Sequence, residues 1–566
     1  MEEMSEGRRA LLAVSISLLI LLLWSRFYKA PAPPPQKAKV PAPNAIAAPN
    51  TGSEAPSTPA TAAASKARPA SAVQATEEKT SVVDGPLYRV ELSNRGGVVR
   101  SWKLKKYLDD SKPPRPLDLV NAAAAQQLGG WPFSLVLDDP QLEAQVNGAL
   151  FVVSPADADQ KLPAELSFHW SDGHLDVVKK LKFDASYETN VQVTVTLDGK
   201  PLPAAIAWRG GFGDINVYQA AQLVTVYYHT GGKLNLLPYK KLGASGHPEQ
   251  RTLQPELMDY AGIEDQFFTA AFLPNGPGLS LWHWVQQRDI TEGGKAAQEP
   301  VEEMAAGSAA GPLDLRVYVG PKDLDSLAKV RPPLEELVQF GWTGIIAKPL
   351  LFILRWTYHY LPNYGWCIVL LTLAINTALF PLKMSSWRSM QRMQRVGPEI
   401  RSIQDRYKKY SFNDPRKKKM NEEVMAIYNR EGINPMGSCL PMLLQMPIWW
   451  ALYRMLQGAI ELRHAPWFGW LRDLSARDPY YILPILMVVT MYLMQKMTPT
   501  TTVDPAQQKM MTLMPLMFGL FFFRLSSGLV LYIFTSNLVG IAQQYYLNRN
   551  QPLPAKGNAK NKKKTG

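Results

Sequence analysis

Residues 362–382 read PNYGWCIVLLTLAINTALFPL, and this stretch decides the fold. A helix of that length rises about 30 Å, the thickness of the hydrocarbon core of a bilayer. No charged side chain interrupts it, yet Thr372 and Asn376 lie inside it. Polar groups in lipid are costly unless they are partnered or face a hydrated interior. The stretch therefore reads as a membrane span with one polar face turned toward protein or water.

Similar apolar runs lie near 440–460, 480–497, 510–524 and 528–546. Leu525–Ser527 alone separates the last two, which predicts a tight helical hairpin. A further run, Ala10–Trp24, follows Arg8 and Arg9 and is extended by Phe27 and Tyr28. A basic flank before an apolar run reads as a signal peptide or an uncleaved anchor; the anchor, with its N-terminus inside, is the reading adopted. The expected total is six transmembrane helices. The second and third of these carry Thr372 and Asn376, and Gln445, Arg454 and Gln457. The last carries Thr535, Ser536 and Asn537, and Arg524 sits where the hairpin turns. A charged side chain at the bilayer centre costs about 2.5–3.5 kcal/mol on insertion scales. Five core helices with polar groups turned inward would line a groove rather than a pore. The plainer reading is that Thr, Ser and Asn bond between helices while Arg454 and Arg524 snorkel to the interface.

Charge sets the topology. The chain of 566 residues carries a net charge of +13. Residues 383–433 hold 13 Lys/Arg against 6 Asp/Glu, and residues 548–566 hold 6 Lys/Arg and no acid. Residues 461–479 hold 3 of each sign. Basic loops stay cytoplasmic, so both termini belong there and the region before residue 330 lies outside. The basic segments face water and suit anionic headgroups or RNA, or are simply a solvated surface. The two cysteines, Cys367 and Cys439, lie beside or within apolar segments, so the outer region has no disulfide framework.

That outer region begins with a tether. Residues 31–80 contain 15 Ala and 10 Pro, too little apolar bulk for a core. From residue 81 short alternating runs recur, Val191, Val193, Val195 and Leu197 among them. Leu87–Leu92, Phe133–Leu137, Leu166–Trp170, Leu223–Tyr228, Leu279–Val285 and Leu313–Val319 are further strand candidates, and together they predict a β-sandwich. Gly210-Gly211-Phe212-Gly213 reads as a turn rather than a phosphate loop. Helical spacing returns over 334–346, where Leu334, Leu337, Val338, Gly341, Trp342, Ile345 and Ile346 share one face, suited to the membrane interface or to packing on the β domain. Met384, Trp387, Met390, Met393, Val396, Ile400, Ile403 and Tyr407 repeat every three or four residues. After a break at Ser411–Pro415, Met420, Val424, Ile427 and Tyr428 continue the pattern, which predicts a helical hairpin, with Gly397-Pro398 a candidate kink. Its Met-rich stripe suits varied apolar partners, or packing of one arm on the other.

No HExxH, GxSxG or Walker-type pattern appears, and the seven His are scattered. No enzyme, cofactor or metal is expected. The first functional class is a membrane protein insertase and chaperone: a hydrated groove shortens the hydrocarbon path of a polar segment, and apolar burial drives its neighbour into lipid without a nucleotide. A transporter or channel is the second, though no internal repeat is visible. A membrane-anchored carbohydrate-binding or sugar-modifying protein is the third.

Ordered motifs then narrow the choice. Asn434-Pro435-Met436-Gly437, Leu443-Leu444-Gln445-Met446-Pro447-Ile448, Asp478-Pro479-Tyr480-Tyr481-Ile482-Leu483-Pro484, Gln495-Lys496-Met497 and Ser527-Gly528-Leu529-Val530-Leu531-Tyr532 resemble the YidC family of membrane protein insertases, related to the mitochondrial Oxa and chloroplast Alb proteins. In the outer region Asn94-Arg95-Gly96-Gly97, Asp265-Gln266-Phe267-Phe268 and Tyr318-Val319-Gly320-Pro321 resemble its Gram-negative branch. The resemblance implies a polytopic α-helical membrane protein with a five-helix insertase core, a periplasmic all-β supersandwich, a flat interfacial helix and a cytoplasmic antiparallel helical hairpin. It implies location in a bacterial inner membrane and, as partners, nascent inner-membrane proteins, the Sec translocon, ribosomes or targeting factors, and membrane lipids.

On this reading residues 1–9 are a cytoplasmic N-terminus, 10–28 the anchor, 29–80 the linker and 81–330 the periplasmic domain. Residues 331–361 hold the interfacial helix, 362–548 the core with its hairpin at about 384–430, and 549–566 the basic tail. The candidate groove residues are Thr372, Asn376, Gln445, Arg454, Arg524, Tyr532 and Asn537; the candidate hairpin contacts are Arg401, Arg406, Lys408, Lys417 and Lys418. One departure stands out. Asn376 matches a position where the family usually places Arg, and Ile533, beside Tyr532, matches a frequent Tyr. Arg454 or Arg524 is expected to supply the missing charge.

Overall fold

The structure, a computed structural model, describes residues 72–217, 220–238, 250–254, 256–292, 295–308, 312–410, 414–433, 440–498, 514, 519 and 522–550. The chain divides into two compact units, one built around Ser65–Lys348 and the other around Pro349–Gln457 and Leu462–Gly566.

The first unit is almost wholly antiparallel β-structure. Alternation sets its strands. Along Glu188–Leu197 the side chains of Val191, Val193 and Val195 are buried while those between face out. This strand lies between Leu175–Phe183 and Leu313–Pro321 in a ten-stranded sheet. A five-stranded sheet holds Tyr88–Ser93 and Val98–Leu108, and a second is built on the long hairpin Leu279–Glu292 and Lys295–Ser308. Rings join them. Trp102 of the first small sheet lies 6.1 Å from Phe183 of the large one. Phe133 bridges Trp102 at 6.1 Å and Trp208 of the third sheet at 6.5 Å. These faces make the expected sandwich.

Some expected boundaries shift. Around Phe133 only Leu135–Val136 are in a strand, because Phe133 itself turns left-handed with φ 68°. A short helix at Ala220–Leu223 precedes the strand Thr225–Thr230. Gly210, Gly211 and Gly213 all have positive φ, and the Gly210 N–H donates to the Glu303 carboxylate at 2.8 Å, as a turn rather than a phosphate cradle.

One inward position is a lysine. Alternation along Leu175–Phe183 carries Lys179 into the core, fully buried. Its ammonium donates to the carbonyls of Gly96 (2.7 Å), Gly97 (3.3 Å) and Phe133 (2.9 Å). Those carbonyls come from a glycine turn and the left-handed Phe133, where no strand partner would satisfy them.

The first unit ends in helical turns: the single helix expected over 334–346 is instead two short 3-10 turns, Glu335–Val338 and Gly341–Thr343, followed by helix α1, Gly344–Tyr360, with which the helical second unit begins. Gln339 and Gly341 are left-handed, which rotates one turn against the next. Leu334, Leu337 and Val338 are therefore buried while Trp342 and Ile345 are exposed, so they do not share a face. Helix α2, Tyr364–Arg406, then runs unbroken for 43 residues, about 64 Å, through Pro381 and Pro398. It carries both the expected span and the first hairpin arm, and Gly397-Pro398 does not end it. Helix α3, Pro415–Arg430, is the second arm, capped by Asp414. Val396, Ile400 and Ile403 pack with Ile427 and Ile433 between the arms, and Met393 and Met420 join them, so this part of the Met stripe is packing.

Helices α4 (Leu440–Gly458), α5 (Ile482–Met497) and α6 (Ser527–Asn550) match three other expected spans within a few residues. The anchor at 10–28 and most of 510–524 lie outside the described residues. Among those described, one helix, α2, is long and apolar enough to cross a bilayer, and α5 is a shorter apolar helix. The count of six spans is therefore not established. Asp478 organises the loop before α5. Its carboxylate accepts from the Leu483 N–H (2.7 Å), the Tyr480 N–H (3.0 Å) and the Trp470 indole (3.0 Å). The same loop fixes α6: Ser527 N–H donates to Ala476 O and Gly528 N–H to Leu474 O, each at 2.7 Å.

Two predictions follow from these buried charges. Burial pulls the Lys179 pKa down from 10.5 to about 7. Between those values the unfolded chain holds a proton that the folded chain releases, so the lysine's contribution to stability rises with pH across that window and is smallest near its lower end. Lys179→Met should lower the unfolding free energy of the β unit by about 3 kcal/mol, from carbonyls left unpaired. It should also flatten the rise between pH 7 and 9, measured by denaturant unfolding; equal slopes would remove the assignment. Asp478→Ala should cost about 2–3 kcal/mol, with Asp478→Asn intermediate, read as thermal midpoints in detergent. An unchanged midpoint in the alanine variant would make the three bonds incidental.

Candidate functional site

The polar residues of the helical unit meet where α2 and α6 pack. Thr372, Asn376 and Lys383 are spaced by four and seven on α2, and Ser536 and Gln543 by seven on α6, so each set shares a face. Asn376 is the centre, 1% exposed. Its Nδ2 donates to Thr372 O (2.9 Å) and Ser536 Oγ (3.3 Å), and its Oδ1 accepts from Lys383 Nζ (2.7 Å). Gln543 Nε2 donates to the Asn376 carbonyl (3.2 Å), while Gln543 Oε1 is buried with no partner. Phe380 and Tyr546 close one end edge to face, 6.4 Å apart.

Two further ties radiate from α6. Asn537 Nδ2 donates to Thr490 Oγ1 of α5 at 3.3 Å. Tyr532, buried, is hydrogen-bonded to the side chain of Gln445 on α4. Thr372 is buried too, and its hydroxyl returns to Ile368 O of its own helix at 2.6 Å.

The candidates thus separate. Asn376 anchors the cluster and Thr372 adjoins it. Gln445 and Tyr532 pair with each other, and Asn537 turns to α5. Thr372 and Asn376, expected to face a furrow, are both buried, and Asn376 bonds to Ser536 and Gln543 of α6. Arg454 on α4 and Arg524 at the turn before α6 are exposed, and neither is among the partners of Asn376. The cation there is Lys383. Sequence reading counts it with the cytoplasmic charges that begin at 383; the seven-residue spacing from Asn376 was the available signal. Gln543 was missed for a similar reason, lying near the end of an apolar run.

In the hairpin, Arg406 pairs with Glu423 (2.9 Å) and Arg430 with Glu399 (2.7 Å), ties across exposed surface that add little to stability. Arg401, Lys408 and Lys418 are exposed and Lys417 is half-buried. Arg416 lies over the Tyr410 ring at 3.8 Å. On α1 Phe352, Trp356 and Tyr360 follow at four-residue spacing and are 69%, 57% and 69% exposed, an aromatic stripe on one face.

Residues 80–353 match the family described as YidC periplasmic domain, and residues 356–555 match that described as 60Kd inner membrane protein. A protein of Syntrophus aciditrophicus named membrane protein insertase YidC is 34% identical over 562 residues, 96% of this chain and 99% of its own. One of the same name from Syntrophobacter fumaroxidans is 34% identical over 573 residues, 96% of this chain and 100% of its own. A crystal structure described as active YidC insertase with its first transmembrane domain resolved is 17% identical and covers 85% of this chain and 95% of that one, with a TM-score of 0.35. That superposition is too loose to add to the sequence matches. Two adjoining family matches and relatives aligned over nearly their full length place this chain in the YidC family of membrane protein insertases.

Proposed function

We propose that the chain is an inner-membrane insertase and chaperone that gives hydrophobic segments of nascent membrane proteins a polar route into lipid. The observation that carries this reading is the cluster around Asn376, a buried set of polar side chains shared by two otherwise apolar helices. The groove is closed at rest. A transiting segment parts α2 from α6, exchanges its polar groups for those of Asn376, Ser536 and Gln543, and moves sideways as its apolar surface enters lipid. Burial of apolar area, at about 25 cal/mol per Å², supplies the drive and no nucleotide is required. Thr372, Gln445, Tyr532 and Asn537 form the remaining wall; Arg454 and Arg524 serve at its exposed edges.

The topology has both termini in the cytoplasm, six spans and the β domain in the periplasm, consistent with the basic loops. The exposed aromatic stripe of α1 suits the membrane interface, where rings of this kind settle. The hairpin presents Arg401, Arg406, Lys408, Lys417 and Lys418 to ribosomes, targeting factors or anionic lipids, and the Sec translocon is the expected partner for larger substrates.

Photocrosslinkers placed at 376 and 445 should capture a stalled, nascent single-span protein, and one at the exposed position 454 should do so less. The doubly altered Asn376→Leu, Ser536→Leu protein, reconstituted in liposomes, should insert that substrate about tenfold more slowly. Normal insertion by this variant, with no adduct from 376, would sink the groove.

A further inference from the structure

The β unit holds a cleft of its own, about 450 Å³ in volume, within the range that takes a small molecule. Arg95, Arg100, Trp131, Ser134, Glu143 and Arg209 are among the residues that line it. Local backbone brings them there. Arg95 lies in the turn before Val98–Leu108, the strand that carries Arg100, and Gly96 and Gly97 of that turn are left-handed. The helix Ala122–Leu128 stops at a left-handed Gly129, two residues before Trp131. Arg209 follows the strand Ala205–Trp208, and a Cβ at Gly130 would lie 2.4 Å from its Nε, so only glycine lets the chain pass so close.

The charges of this cleft are unevenly committed. Glu143 is taken up: Arg251 donates to both its oxygens, at 2.6 and 2.5 Å, and the Leu137 N–H adds a bond of 3.1 Å. Glu303 accepts from the Trp284 indole, the Gly210 N–H and the Gln286 amide. The guanidiniums are not taken up, although each has five N–H donors. Arg209, 12% exposed, makes one hydrogen bond, of 3.3 Å from Nε to Glu303, and lies 3.8 Å from Glu143. Arg100 lies over the Trp131 ring at 4.1 Å. Its bond to Glu78 is long, 3.4 Å, because that carboxylate is held more closely by Arg95 at 2.8 Å. Ser134 is 3% exposed and its hydroxyl has no partner among the described residues. Two guanidiniums with spare donors and an idle hydroxyl, grouped at one cleft, are complementary to an oxyanion, since paired N–H groups match two oxygens of a carboxylate or phosphate.

We propose that this cleft binds a small organic oxyanion, a carboxylated or phosphorylated molecule about the size of a sugar acid, held by Arg100 and Arg209 beside Trp131, with Ser134 donating a further bond. The site goes beyond the insertase reading and does not depend on it, because none of its residues belongs to the helical unit.

The test titrates the full chain in detergent, by calorimetry at one ionic strength, with glucuronate, glucose 6-phosphate and glucose. At least one of the two anions should bind with a Kd below about 1 mM, and glucose should not. The tighter anion identifies the ligand as a carboxylate or a phosphate. Arg100→Gln and Arg209→Gln should each weaken that binding about tenfold, the loss of one charge-assisted contact. Arg209→Gln also removes a bond to Glu303; if it lowers the thermal midpoint, Arg100→Gln alone decides. Binding of neither anion, equal binding of glucose, or an affinity unchanged by Arg100→Gln would overturn the proposal.

Discussion

The helical unit is governed by the need of the buried Asn376 amide for hydrogen-bond partners. Its donors and acceptor are taken up by Thr372, Ser536 and Lys383, and its own backbone carbonyl by Gln543. Those bonds fix the register of α6 on α2, because Ser536 and Gln543 must both reach one residue. Once α6 is placed, its other faces set the neighbours: Asn537 meets α5 through Thr490, and Tyr532 meets α4 through Gln445. Every polar tie among these helices described above therefore passes through α6. In a medium where apolar packing gives little preference for one helix pairing over another, such ties decide which pairs form.

The same rule operates in the β unit with a different result. Lys179 is buried as deeply as any core residue, but three carbonyls surround its ammonium and no anion is absent. It closes a glycine turn against the left-handed Phe133 and is structural. Asp478 does the like for the start of α5, its carboxylate saturated by three donors. Lys383 differs from both in having one acceptor, and Gln543 in having an unused one. Satisfied buried polar groups hold a fold together, while a partly satisfied one is costly and calls for its own explanation.

Much of this was legible because periodicity is strict where burial is. Alternation located Glu188–Leu197 and Leu313–Pro321, and apolar runs located α2, α4, α5 and α6. Leu175–Phe183 escaped notice because its inward Lys179 looks like a surface charge until carbonyls are found around it. The helix expected from 334 failed because spacing does not register a left-handed Gln339 or Gly341, each of which turns the next apolar pair away. The cluster was half visible. Asn376 announces itself within an apolar run, but its partners lie 160 and 167 residues away on another helix, and a single sequence does not pair them. Arg454 and Arg524 drew attention through their charge, whereas Lys383 was hidden at the edge of a basic loop.

Magnitudes explain why the resting cluster is neutral apart from one lysine. A hydrogen bond between uncharged groups contributes about 0.5–1.5 kcal/mol net, so parting the few bonds at Asn376 costs a few kcal/mol. That is close to what a single charged residue costs in the middle of a bilayer, about 2.5–3.5 kcal/mol. An acidic partner for Lys383 would raise that figure, since breaking a buried ion pair costs about 3–5 kcal/mol. A closed wall of weak, exchangeable bonds with one poorly compensated cation is firm enough to keep α2 and α6 in register. It is also weak enough to be parted at a cost of a few kcal/mol.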